Sequence, residues 1–527
     1  RVNRARILLG VLILLALFAR GNYLGELKSN PFYGYPIIDA AEYLGWGTAI
    51  ANGDFPWSRV HIHGPLYPHL LAVIFNLGGS PDWIYPLQFA LGVLLILLLF
   101  YLGKRSEGRV PGILAAGMLV FYARELFFEG LVFATTLATF LTLVFILLGV
   151  VFSAAGERRP RVWALAGIAL GLSAITRPTI LIAAPFVFAF FLWRFDRKRA
   201  LAIAAWFALG AALVIGPVTL RNIAIGDPVL VQGNGGMNFY LGNRAGADGL
   251  ASVRPGVQWN DLERIGNEAG MIRAADRDRF YYARAWSEIA AHPGEAIARA
   301  LKRVLYFWSG AEVDTSQSFP FFRNNSETLR WLFLPVGWIT AVGLIGWLRY
   351  GFGRNRPLTF AGVVLLAYTF SALLFPFASR YRMPMVPIMA LFAASELYGI
   401  AKRWRKPEGF RRMAVAAVAL VLLNLPVTAP QRDLVRVELH LGKKYYDAKR
   451  FASSDLYYAE ALKKYGEDPD LLNNIGLLQE AMGKTDEAEQ WYRRAAAAGP
   501  THAKAFANLA GMHMRRGDIE GTLRELE

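Results

Sequence analysis

The chain of 527 residues contains no cysteine. A disulfide framework and a thiolate metal site are therefore both excluded. Charge is also scarce, at 18% of residues against about 25% in an ordinary soluble domain. Acidic residues are the scarcer sign, with 40 Asp and Glu against 57 Lys and Arg and a net charge of +17. The deficit is local. From Arg432 onward there are 15 basic and 16 acidic residues, so the preceding part carries 42 and 24. Such an excess needs no nucleic acid if it sits in cytoplasmic loops, and no nucleic-acid partner is expected. The sequence begins at Arg1 rather than Met, and we expect further residues upstream.

Hydrophobic residues make up 55% of the chain, and the mean hydropathy is +0.31. Apolar runs recur through the first 430 residues, and several reach the roughly 20 residues a membrane helix needs. The pattern predicts an all-α polytopic membrane protein with a soluble tail. Eleven spans are expected near 7–19, 83–103, 110–122, 130–152, 162–176, 179–193, 200–218, 329–348, 357–377, 383–400 and 413–428. Alternate connections read RVNRAR, KRSEGR, ERRPR, RFDRKR, RYGFGRNR and KRWRKPEGFRR, and together hold 22 Lys and Arg. The short connections on the other side hold only Arg124, Arg177, Arg380 and Arg382. The positive-inside bias then puts the N-terminus in the cytoplasm. Residues 20–82, the loop 219–328 and the tail fall outside, in a multi-pass plasma membrane of the bacterial inner-membrane type. The expected domains are 1–430 in the membrane and 431–527 beyond it.

The tail repeats. In 471–500, Ile475, Gly476, Gly483, Ala488, Tyr492, Ala495 and Pro500 match the tetratricopeptide pattern of 34-residue helix pairs. A shift back by 34 gives Leu441, Gly442, Tyr458 and Ala461, and a shift forward gives Leu509, Ala510 and Gly517. This predicts an α-solenoid of 2.5 to 3 repeats with a concave surface for a peptide or protein. A stabilising cap or an oligomer contact would leave the same pattern.

Polar residues gather at the expected outer boundary. Asp39 and Glu42 lie in IIDAAEYLGWGTAIANGDF, one helical turn apart. Their spacing fits a capping box, an N-terminal acid with Glu three residues on. Tyr43, Gly47 and Ile50 then make an apolar stripe, so 39–51 reads as a helix on the membrane. A cap and a catalytic base are compatible, because a carboxylate has two oxygens. Arg177, Arg221, Arg380 and Arg382 each begin or end a span, and a guanidinium fits a phosphate with two parallel hydrogen bonds. One interfacial arginine is ordinarily a side chain reaching for headgroups; four kept against the inside bias suggest a shared anion. His61 and His63 read as hydrogen-bonding groups for sugar or phosphate rather than a metal pair. Glu125 and Glu129 share a helical face and read either as salt-bridging groups or as a second acid. Asn234, Asn238 and Asn243 in GNGGMNFYLGN suit a hydroxyl-rich ligand. Arg299, Lys302 and Arg303 fall on one side of a helix near 295–308 and could meet lipid phosphates.

The order of these pieces resembles the GT-C glycosyltransferases, and more closely the family 39-like branch of protein O-mannosyltransferases and aminoarabinose-transferase relatives. The likeness covers roughly 7–428. It is carried by Asp39…Tyr43, by GPLYP with Tyr67, by TRP, by RN…G…GG.N.Y.GN and by SRYRMP. Membrane spans followed by tetratricopeptide repeats also resemble the TMTC-type enzymes. The resemblance implies a GT-C-like fold, a sugar donor on a polyprenyl phosphate, and Asp39 as general base. Some relatives have adjacent Asp-Glu, whereas Ala40 and Ala41 intervene here, which leaves the role of Glu42 open. HIHGPLYP lacks the Lys-Pro-Pro of the aminoarabinose branch, which argues against that donor.

The chemistry asks for a base on the attacking hydroxyl and fixed positive charge on the leaving phosphate. Asp39 and the four arginines supply them, so no metal is required, although a divalent ion is left open. A single displacement inverts the anomeric centre. The expected acceptor is a protein, presented by the repeats. The alternatives are a glycolipid or cell-envelope glycan acceptor, a lipid flippase, and an inactive membrane-anchored scaffold. A flippase calls for ionisable groups at mid-membrane, which the spans nearly lack.

Overall fold

The apolar runs fold as helices. In the computed structural model, residues 2–526 are described apart from 56–57, 155–158, 252, 254–255, 355 and 429–430. Each of the eleven expected spans overlaps helix, although 329–348 is interrupted at 332–335. Among the described residues, five helices are long and apolar enough to cross a membrane: Arg4–Lys28, Pro81–Ser106, Thr135–Ser153, Arg197–Ala224 and Ser379–Ala401. Arg109–Val120 and Ala123–Glu129 make a sixth candidate, bent by 61°. Leu66–Asn76, Pro160–Thr176, Pro178–Arg194 and Thr359–Leu374 are shorter apolar helices. Exposed Ile7, Leu14, Phe18, Leu213 and Leu220 give the long helices an apolar exterior, as a lipid solvent requires. The protein is a multi-pass membrane protein.

The first helix differs from expectation. The span expected near 7–19 lies inside a longer helix, Val2–Lys28. Arg20 is buried and pairs with Glu129 at 2.5 Å. A cation that marks a loop in a hydropathy window is here matched by an acid 109 residues away.

Two close helix contacts fix the elements that carry the site. Gly167 lies against the Phe207 carbonyl and Gly210 against that of Ala164, so Trp163–Thr176 and Arg197–Ala224 touch backbone to backbone. Gly343 and Gly346 lie against the Met389 and Phe392 carbonyls, and draw Val336–Tyr350 onto Val386–Ala401. Small residues permit this approach within a membrane, where dispersion replaces the hydrophobic drive between helices.

The chain divides into two units. One comprises Arg1–Ala251, Met271–Asp314 and Phe319–Arg432; the other comprises Ser252–Gly270, Thr315–Ser318 and Asp433–Glu527. The sequence assigned all of 219–328 to the membrane part, whereas two pieces of it cluster with the tail. In the second unit, helices pair as Val437–Asp447 with Phe451–Tyr465, Pro469–Ala481 with Thr485–Ala498, and Ala503–Arg515 with Ile519–Leu526. Gly442 faces the Tyr458 ring, and 34 residues on Gly476 faces that of Tyr492. Buried Ala461 and Ala495 keep the same interval.

Candidate active site

Asp39 opens the helix Asp39–Asn52. The cap position is Ile38, which makes no side-chain cap bond. The capping-box reading therefore fails, because the carboxylate is turned to Arg380 instead. Ile38 holds φ at 54°, a region a β-branched residue rarely enters. Such strain costs on the order of 1–3 kcal/mol and persists where the surroundings enforce it. The face expected to lie on the membrane packs on protein: Ala40, Tyr43 and Gly47 are buried, with Gly47 against Leu71 and Phe75.

Arg380 belongs to the one-turn helix Ser379–Arg382. It donates through Nη1 to Asp39 Oδ2, and the two side chains are 17% and 15% exposed. The pair is thus held by protein and still open to an incoming group. Arg177 follows the helix Trp163–Thr176 with an extended backbone, φ −149° and ψ 105°. The residue before a proline is pushed out of the helical region, and Pro178 does so here. Arg177 Nη1 donates to the Arg380 carbonyl at 2.6 Å. Both guanidinium groups lie by the Tyr381 ring, at 5.5 Å for Arg177 and 5.3 Å for Arg380. Among the described residues, no carboxylate forms an ion pair with Arg177. Burial pulls its pKa down and the Arg380 charge adds to this, but a guanidinium stays protonated. Tyr43 lies within the field of the same groups. Burial raises its pKa, against the pull of Arg177 and Arg380, so its hydroxyl is neutral. Two guanidinium groups and one carboxylate leave a net positive centre.

An aromatic wall adjoins it. His63 Nε2 lies 2.9 Å from Glu42 Oε2. The Tyr43 ring is 5.0 Å from His63 and meets Tyr67 edge-on at 5.1 Å. Trp46 is 5.9 Å from His63 and 5.6 Å from His61. His61 is buried and stacks on Phe55 at 4.9 Å. Burial, aided by His69 and Arg221, lowers its pKa to about 3, so it is neutral at physiological pH. Gly64 rests on the Ile175 and Thr176 carbonyls and ties this segment to the base of Arg177. Tyr67 is turned inward, donating to Gln88 Oε1 at 3.0 Å.

Other sequence candidates stand apart from this cluster. Arg382 is 1% exposed and donates to the carbonyls of Tyr306, Phe307, Ser309 and Ala311. It serves the C-terminal end of the helix Pro293–Trp308, where free carbonyls and the dipole favour a cation. Arg221 donates to the Arg59 carbonyl at 2.7 Å and to Asn222 at 3.0 Å. Glu129 pairs with Arg20, and Glu125 is buried one turn away. Asn243 donates to the Phe239 and Leu374 carbonyls and accepts from Arg303. Asn238 donates to the carbonyl of buried Asn234 at 2.7 Å.

The reading of Arg299 and Arg303 as lipid-facing is corrected. Both are buried. Arg303 donates to the Gly242 and Leu373 carbonyls, and Arg299 to that of Asn243 at 3.3 Å. The outward face of their helix shows Ile297 and Leu301. Sequence reasoning also passed over Arg124, Glu312 and Asp314 as a group. Arg124 pairs with Glu312 at 3.0 Å and with Asp314 at 2.5 Å. Glu125 stands beside Arg124 in the sequence, yet the arginine pairs with acids about 190 residues away, which no local reading could find. Among the described residues, no group of three or more His, Cys, Asp or Glu is placed to hold a metal ion.

Residues 62–220 match a family model described as dolichyl-phosphate-mannose-protein mannosyltransferase. The match takes in His63, Tyr67 and Arg177, and ends before Arg380. No curated protein matches the chain. Among solved structures, the archaeal oligosaccharyltransferase AglB from Archaeoglobus fulgidus, in complex with an inhibitory peptide and a dolichol-phosphate, aligns with a TM-score of 0.44 and 16% identity, over 86% of this chain and 59% of that one. ArnT from Cupriavidus metallidurans, bound to undecaprenyl phosphate, aligns with a TM-score of 0.45 and 14% identity, over 96% of this chain and 80% of that one. The chain thus spans less than two thirds of the AglB length.

Proposed function

We propose that this protein is a membrane glycosyltransferase that moves a sugar from a polyprenyl-phosphate donor to an acceptor hydroxyl on the extracytoplasmic face. The observation that carries the reading is the meeting of Asp39, Arg177 and Arg380 beside Tyr43. These groups come from three distant segments and leave one guanidinium without a carboxylate. The family match over 62–220 supports the same chemistry.

The step follows from the groups present. The acceptor oxygen attacks the anomeric carbon and gives its proton to Asp39. The bond from that carbon to the phosphate oxygen breaks, and its electron pair leaves with the lipid phosphate. Arg177 and Arg380 face the charge that builds there. Arg380 donates to Asp39, and a bound phosphate competes for that guanidinium and frees the carboxylate to act as base. A single displacement inverts the anomeric configuration. Glu42 with His63, and Tyr43 with Trp46, offer hydrogen bonds and ring faces to sugar or acceptor. Tetratricopeptide-type repeats in 431–527 present an extended protein acceptor. In this reading the N-terminus is cytoplasmic, and the site and repeats are extracytoplasmic.

A glycolipid or envelope glycan is the second acceptor class, since the chemistry is the same. The test incubates the purified full chain with a panel of polyprenyl-phosphate sugars and either a Ser/Thr peptide or a lipid-linked glycan. Sugar on the peptide supports the first acceptor, and sugar on the glycan the second. Absence of transfer to either, with donor bound, overturns the reading. EDTA in the same assay is expected to leave the rate unchanged; a loss restored by a divalent ion would assign part of the phosphate charge to a metal.

A further inference from the structure

One carboxylate outside the cluster holds the turn on which Arg380 stands. Ser379–Arg382 is a helix of four residues, too short to fix its own direction, because a first helical turn gains one hydrogen bond for three residues ordered. Its orientation is imposed from the other side. Ser379 Oγ donates to Glu312 Oε2 at 2.6 Å and accepts from Val313 N at 2.8 Å. Arg382 Nη2 lies 3.7 Å from the same Glu312 oxygen while its other bonds go to backbone carbonyls. Arg124 Nε reaches that oxygen too, at 3.0 Å, and anchors it to the short helix Ala123–Glu129. Asp314 takes the other face of Arg124 and also accepts from Phe319 N at 2.7 Å.

Glu312 therefore ties together one hydroxyl and two guanidinium groups from two parts of the chain. Residues 379 and 382 are three apart and share a face of the turn. Arg380 leaves by the opposite side, toward Asp39. Glu312 accepts one charge-assisted hydrogen bond, from Ser379, and forms ion pairs with two guanidinium groups, and such a network is stiffer than its separate pairs.

We infer that Glu312 is a positioning residue: it holds the Ser379–Arg382 turn so that Arg380 meets Asp39. This rests on the proposed role of the Asp39–Arg380 pair, but the geometry is testable without turnover. Asp314 and Arg382 act with it as supports and touch neither donor nor acceptor.

The experiment is a double-mutant cycle on the full chain in detergent, without substrate. Unfolding temperature is measured for wild type, Asp39→Asn, Arg380→Gln and the double variant, and the set is repeated with Glu312→Gln added. The first set is expected to give a coupling of several degrees between Asp39 and Arg380. With Glu312→Gln, that coupling is expected to fall by at least half. Equal coupling in both sets overturns the proposal. If Glu312→Gln yields no folded protein, Ser379→Ala carries the same test, since it removes one bond from the hub and leaves all charges. A coupling unaltered by Ser379→Ala then overturns it. Binding of undecaprenyl phosphate to wild type and Arg380→Gln is measured in parallel. Equal binding by the two refutes the phosphate role of the site, and leaves the positioning result to be judged by the coupling alone.

Discussion

Asp39→Asn should move two properties in opposite directions. The side chain keeps its shape and one oxygen that can accept from Arg380. It loses the charge and the ability to take a proton. Removal of a general base typically costs 10²–10⁴-fold in rate, so transfer is expected to fall by about that factor. Anion binding is expected to rise. A carboxylate about 5 Å from a bound phosphate opposes it by about 3 kcal/mol at an effective dielectric of about 20. Asp39 and Arg380 are 15% and 17% exposed, and solvent and salt reduce that figure to roughly half. About 1.4 kcal/mol is tenfold in affinity, so undecaprenyl phosphate should bind about tenfold more tightly. The assay pairs a titration with undecaprenyl phosphate, followed by intrinsic tryptophan fluorescence, with a transfer rate under single-turnover conditions. Unimpaired transfer places the base elsewhere. Weaker binding together with lost transfer means that Asp39 holds the site together and is not the base.

Three further outcomes follow from the same geometry. Arg177→Gln is expected to weaken undecaprenyl phosphate binding, and to cost about 3–4 kcal/mol in the transfer barrier as the loss of one oriented donor; its unfolding temperature should stay near wild type. Arg382→Gln should do the reverse, lowering the unfolding temperature strongly, because four backbone carbonyls lose a buried charged donor. Asp278 accepts from Gly236 N at 2.9 Å, yet burial raises its pKa from 3.8 to about 6. The charged form is the disfavoured one in the fold, so stability present below pH 4 is lost as pH rises through 6. Asp278→Asn keeps the acceptor without the charge. It should stabilise the protein by about 2–3 kcal/mol above pH 6 and by nothing below pH 4, read as unfolding temperature against pH.

Asp39, Arg177 and Arg380, which the structure brings together, were singled out because each sits beside an apolar run in a connection expected to hold few cations. Sequence could not separate Arg380 from Arg382. Two residues apart in one turn, they point to different neighbours: Arg380 to the Asp39 carboxylate, and Arg382 to a row of carbonyls with Glu312 3.7 Å away. Asp39 and Glu42 have the spacing of a capping box, but the helix is capped by Ile38 and the acids turn to Arg380 and His63. That choice is made by residues 21 and 341 positions away, outside any local window. Arg20 misled for the same reason: a partner 109 residues on makes a buried cation tolerable. The tail does fold as helix pairs, and a 34-residue interval recurs in them, as in Gly442 on Tyr458 and Gly476 on Tyr492, because that signal is local and repeats.

A contrast among the arginines bears on the proposed phosphate site. Arg303 spans carbonyls at the ends of Gly235–Asn243 and Thr359–Leu374, and Arg382 does the same for Pro293–Trp308. Arg303 is sealed by bonds to oxygens that carry partial charge, and Arg382 by four carbonyls with the Glu312 carboxylate 3.7 Å away, which satisfies each buried guanidinium without inviting a further ion. Arg177 has one such bond, to the Arg380 carbonyl, and is only half-buried. Arg380 has a full carboxylate in a pair that solvent can reach. A phosphate can therefore exchange with the partner of Arg380 and complete that of Arg177, whereas at Arg303 or Arg382 it would first have to break three or four buried bonds. The same count explains why these four arginines should differ in effect. Substitution at Arg177 or Arg380 is expected to appear in ligand binding, and substitution at Arg303 or Arg382 in folding.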